Sequence, residues 1–260
     1  MKLLQMTCAA LLAALSAGCA APAAALGGMA DLSVYDRSEG RILPVYWHEG
    51  RAWVVGKPGN EYQLNVRSRQ GEDLLAVLSV DGVNVITGET ATSQQSGYVL
   101  APGRALEVKG WRKDLSRTAA FYFTPLADSY AARTGRPDNV GAIGVALFRK
   151  KRPEAVPFSQ IAPAAPMAKA ERSERSDAAG SSAGAAARSA EAPLGTGHGR
   201  SETSYVRSVG FERASSAPAE TVVIFYDSYQ NLLARGIIPR FAPPRPVPNP
   251  FPGFVQDPPA

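Results

Sequence analysis

The 260-residue chain carries 28 Lys and Arg against 23 Asp and Glu, with only two cysteines and two histidines. Cys8 and Cys19 both fall in the N-terminal segment, so the rest of the chain can build no disulfide, cysteine nucleophile or thiolate metal site. The charge excess sits at Lys2 and in residues 30–152, where 17 basic side chains face 13 acidic ones and the last four are Arg149-Lys150-Lys151-Arg152. In a cell envelope such a surface meets anionic lipid or acidic glycan sooner than nucleic acid, and its simpler reading is the solvated end of a strand.

Residues 1–18 have the layout of a secretory signal: a cation at Lys2, an apolar run, then small residues. Leu15-Ser16-Ala17-Gly18-Cys19 resembles the lipobox of bacterial lipoproteins, with Ser16 where a Leu is usual, and makes Cys19 the lipidation residue. The alternative is ordinary cleavage after Ala25, leaving a soluble periplasmic or secreted protein. Either way the chain is exported.

Residues 30–152 alternate short apolar runs with Gly, Pro, Asn and Asp turns, the pattern of an antiparallel β-sandwich. In chain order the expected strands are residues 41–47, 52–55, 61–67, 74–80, 83–86, 97–100, 105–109, 119–124 and 142–148. EYQLNVR and ALEVK alternate strictly and predict one wet face, whereas LLAVLSV and AAFYF are apolar throughout and predict central strands. Asp81-Gly82 between two apolar runs is the strongest hairpin signal in the chain, with Gly88 ending the second strand and Glu89 left exposed. A short helix is expected at 128–135, capped by Asp128 or Ser129 and stopped by Gly135.

Residues 153–200 become rich in Ala, Ser, Gly and Pro, a composition that cannot offset its ordering entropy, and predict a disordered linker. Residues 201–238 then read as a strand and a helix returning to complete the sandwich, with Asp227 as the expected helix cap. Residues 239–260 form a Pro-rich tail.

The catalytic inventory is thin. His48 and His198 are the only histidines, no Gly-x-Ser-x-Gly elbow is present, and GTGHG lacks the Lys-Ser/Thr of a phosphate loop. Asp81, Asn84 and Glu89 lack the alternation of a calcium loop, and neither histidine has a zinc partner at useful spacing, so no metal or cofactor is expected. Paired carboxylates of a glycosidase stay open, with Glu49, Glu61, Glu89 and Glu107 as candidates and nothing to select two of them. Trp47, Trp53 and Trp111, with Arg112 and Lys113, are the candidate ligand contacts, since tryptophans stack on sugars and cations meet acidic glycan or lipid; core packing is the competing reading.

The blocks VDGVNVITGE, SGYVLAPG, GWRK, DSYAARTG and NVGAIGVALF together resemble a family of uncharacterised exported bacterial proteins, and ETVVIFYDSYQNLLARGII resembles their C-terminal segment. The resemblance implies a shared fold and export and transfers no catalytic residue. The expectation is an envelope protein, lipid-anchored through Cys19, serving as a non-enzymatic structural or interaction module with a protein or glycan partner. A glycan-binding or glycan-processing sandwich is the alternative.

Overall fold

The computed structural model describes residues 25–152 and 192–239. The expected signal segment, Cys19, residues 153–191 of the expected linker and the tail from 240 onward lie outside the described residues. The chain runs through β1 (Ala30–Asp36), β2 (Arg41–Ile42), β3 (Tyr46–His48), β4 (Arg51–Gly56) and β5 (Glu61–Ser68). Next come β6 (Leu74–Val80), β7 (Val83–Asn84), β8 (Tyr98–Leu100), β9 (Ala105–Val108), β10 (Gly110–Arg112) and β11 (Arg117–Pro125). The single-turn helix α1 (Tyr130–Arg133) precedes β12 (Ala142–Arg149), β13 (Leu194–Thr203), β14 (Glu220–Ser228) and α2 (Tyr229–Ala234).

These strands form a β-sandwich. The first sheet has the order β10-β11-β5-β1-β2, with β13 on β11 and β9 on β5; the second has the order β3-β4-β14-β12-β6-β7, with β8 on β6. Alternation assigns the faces. Leu32, Val34, Tyr62, Leu64, Val66, Phe121 and Phe123 of the first sheet pack against Val54, Leu74, Leu78, Ile143, Val145, Leu147, Ile224 and Tyr226 of the second in one continuous core. The outer face of the second sheet carries two smaller clusters: Trp53 beneath Leu232, Ile237 and Ile238, and Leu75, Val77 and Phe148 beneath Phe211.

Local chemistry explains the turns. Asp81 and Gly82 have φ of +54° and +71° and join Val80 to Val83, as the two-residue hairpin requires. The second strand is shorter than expected because the Asn84 side chain accepts bonds from Ile86 N and Thr87 N, turning the chain early. Ser129 caps α1 by accepting from Ala132 N, and Gly135 ends it at φ +75°. At α2 the cap is Ser228, the last residue of β14, and not Asp227, which lies one place earlier in the strand.

One expectation about the C-terminal part needs correction. Residues 194–200 belong to β13 and not to a linker, because the Gly positions of LGTGHGR are where neighbours crowd the strand. A Cβ at Gly195 would lie 2.6 Å from Ser129 Cβ and 2.7 Å from Val140 Cγ1. Gly195→Val should therefore cost about 1–3 kcal/mol by overpacking, whereas Gly210→Ala, with open space around it, should stay within about 0.5 kcal/mol. Urea melts of both variants check this. β14 does return to complete the sandwich, and as an inner strand: it lies between β12 and β4, antiparallel to the first and parallel to the second.

Candidate functional site

The most concentrated set of polar groups in the interior surrounds Asp81. The turn geometry aims its carboxylate between the sheets, where Oδ1 accepts from Tyr226 OH at 2.5 Å and Gly141 N at 2.9 Å, and Oδ2 accepts from Thr196 N at 2.7 Å. The Thr196 hydroxyl in turn sits 2.6 Å from both Tyr226 OH and Tyr62 OH. Asp81 and Thr196 are fully buried. Burial raises the Asp81 pKa to about 6 against the lowering effect of these hydrogen bonds, and burial together with the Asp81 charge pushes both tyrosines up. The cluster is closed off by protein and couples β5, β6, β13 and β14. It is a clamp, not a cleft.

A second carboxylate does similar work nearby. Asp227 Oδ1 accepts from Leu194 N, Ser228 N and Asn231 Nδ2. Asp81 and Asp227 thus take the Thr196 and Leu194 amides that β13, paired only with β11 among the described residues, would otherwise leave unpaired on its free edge.

The five residues singled out from the sequence do not share a surface. Trp47 is exposed at 59 %, and its cross-strand partner is Ala52, whereas Trp53 pairs with Tyr46 and so lies on the opposite face. Trp53 is buried, packed on Phe225 with the Arg235 guanidinium 4.3 Å above its ring. Trp111 is buried too, against Phe121 and Tyr130. Lys113 is exposed, and its charge, after burial, helps to lower the His198 pKa. Arg112 is the one of the five that lines the molecule's well-formed surface cavity. The candidate glutamates are likewise dispersed: Glu61 bonds Arg200, Glu89 bonds Gln95, Glu107 pairs with Lys109 and Glu49 with His48.

That cavity is a groove of about 1090 Å³ at the corner where β8, β9 and β10 meet. Residues 204–213 strap it. Ser204 N and Val206 N bond the carbonyls of Ser116 and Leu115 at one end; at the other, Phe211 packs on the Leu75, Val77 and Phe148 cluster and Lys151 N bonds Glu212 O. The floor is apolar, with Leu75, Ile86, Val99 and Leu106 among its residues, and Gln94, Gln95 and Ser208 supply amide and hydroxyl groups at the rim. Arg112 ties the strap down by donating to Tyr98 OH, Asp114 O, Ser204 O and Ser204 Oγ. Arg213 donates to Gln94 Oε1 and Gln95 O with its guanidinium 4.2 Å from the Phe148 ring centre.

The groove had no signal in any one stretch of sequence, since its walls come from segments more than 100 residues apart. The basic run beside it is not a free patch: Arg149 and Arg152 pair with Glu72, Lys150 with Asp73 and Lys151 with Glu212. Among the described residues, no helix is long and apolar enough to cross a membrane, and no three His, Cys, Asp or Glu side chains gather as a metal site. No family model, curated protein or solved structure matches the chain.

Proposed function

We propose that this protein is an exported, lipid-anchored envelope protein that works as a non-enzymatic interaction module, and that the strapped groove is its binding surface. Export and the Cys19 anchor rest on the N-terminal signal pattern. The binding role rests on one observation above the rest: the large groove offers apolar, amide and guanidinium groups, the chemistry of recognition, while the buried Asp81 carboxylate is engaged by three internal donors. The glycan alternative draws its support from exposed tryptophans, and of the three only Trp47 is exposed.

Two readouts on the tagged full-length protein test this. Cys19→Ala should move it from the membrane to the soluble fraction. In mild detergent the unaltered protein should migrate on native gels above its monomer mass, and Leu115→Asp, at a groove position 60 % exposed, should return it to monomer. A monomer in both cases, together with hydrolytic turnover that disappears in His198→Gln, would overturn the reading.

A further inference from the structure

Within that reading, we infer that the groove takes an acidic peptide segment in extended conformation, laid along the free edge of β8 beneath the strap. Three observations carry this. The first is backbone geometry. β8 pairs with β6 on one side only, and neither the strap nor any other described segment bonds its main chain on the other. Residues 206–211 line the same groove as Tyr98 and Val99 of β8, and an unpaired strand edge is the surface to which an extended peptide adds. Natural sheets shield such an edge or use it. Here the strap is fastened at both ends, and residues 207–210 between them make no hydrogen bond among the described residues.

The second observation is charge. Among the described residues no carboxylate lies in ion-pair reach of Arg112, Arg207 or Arg213, whereas the acids at the groove's rim, Asp73 and Glu212, already face Lys150 and Lys151. Arg112 spends four of its five N–H groups on neutral acceptors; Arg213 spends two, and Arg207, exposed on the strap, spends none. Two guanidiniums with free donors on a partly apolar wall select carboxylates, and they do so in the planar, two-bond manner that ammonium groups lack.

The third observation is size and texture. About 1090 Å³ lies above the range of roughly 300–1,000 Å³ typical of small-molecule clefts. An extended strand presents side chains alternately to two sides, so apolar residues would meet Leu106, Val99 and Ile86 while acids on the other side meet Arg207 and Arg213. A lipid tail would use the floor but not the β8 backbone edge or the glutamine rim.

The test uses full-length protein in detergent and three fluorescent eight-residue probes that alternate Val with Glu, Lys or Gln. The Glu–Val probe should bind saturably, at least ten-fold tighter than the Lys–Val probe, with affinity falling as salt rises. Arg207→Glu should reverse the order of those two probes, and Leu115→Asp should weaken Glu–Val binding by ten-fold or more. Both positions are exposed, and unchanged thermal melts would show that the variants fold. Equal binding of the three probes, no saturable binding, or binding of Cys19→Ala protein to phosphatidylglycerol vesicles that Arg207→Glu abolishes while no peptide binds, would each overturn the inference. If the probes fail but the native complex of the unaltered protein persists and is lost in Leu115→Asp, the interaction role stands and only the acidic-peptide assignment falls.

Discussion

Residues 1–152 expressed without the C-terminal part should fail to form a cooperatively folded protein. β14 is an inner strand of the second sheet, so its removal parts the β3-β4 hairpin from β12-β6 and opens two edges at once. With β13 and β14 go the buried side chains of Leu194, Val222, Ile224 and Tyr226. At about 1.5–3 kcal/mol each, these four alone approach the roughly 5–15 kcal/mol by which a domain is stable. The loss is compounded at Asp81, which would keep its buried carboxylate without Tyr226 OH and Thr196 N. Size-exclusion chromatography and near-ultraviolet circular dichroism should report an aggregated or molten chain. A separate peptide of residues 192–239, co-expressed, should restore the native spectrum, since the contacts do not depend on how the two segments are joined. A truncated chain that melts cooperatively within a few degrees of the full-length protein would contradict this account.

The same segment marks the limit of what was legible in the sequence. Turn chemistry was local and could be read: Asp81-Gly82, the Ser129 cap and the alternation of EYQLNVR each record a backbone demand within a few residues. LGTGHGR could not, because Gly in a strand is required by what stands opposite, and Ser129, Val140 and Tyr122 are more than 50 residues away. Composition counts such glycines as linker. For β14, a continuous apolar run signalled a strand, but its place inside the sheet and its parallel pairing to β4 across 170 residues leave no local trace. The Asp81 cluster did leave one: Tyr62 and Tyr226 occupy inward positions among apolar core residues, and a buried phenol calls for a partner. An Asp in a tight hairpin reads as exposed until the hydroxyls that enclose it are known.

That enclosure makes Asp81 the source of an unusual pH dependence. In the unfolded chain its carboxyl titrates near 3.9, and in the folded protein burial holds it at about 6. Between those values the native state binds the proton that the unfolded state has released, so stability falls as pH rises through the window and about half of it is recovered on acidification from pH 7 to pH 5. Two pKa units correspond to about 3 kcal/mol at most. The surface acids Glu39, Glu61 and Glu72, the last two half-buried, are lowered by their Arg and Lys partners and act in the opposite sense but only at lower pH, below the ordinary carboxylate range. His198 opposes it within the window, because its lowered pKa makes the unfolded chain the better proton acceptor near pH 6. The measurement therefore belongs in a His198→Gln background, by urea denaturation at pH 7.5 and pH 5. There the protein should gain stability at the lower pH, and Asp81→Asn, which keeps the tolerated left-handed turn, should show no gain. The amide turns one of its N–H groups toward a backbone donor, so the substitution should cost about 1–3 kcal/mol at pH 5 and distinctly less at pH 7.5, where the aspartate it replaces is a buried charge. Equal costs at the two pH values would mean that Asp81 titrates as it does in water, and that Tyr226, Thr196 and Gly141 hold its charge as well as solvent would.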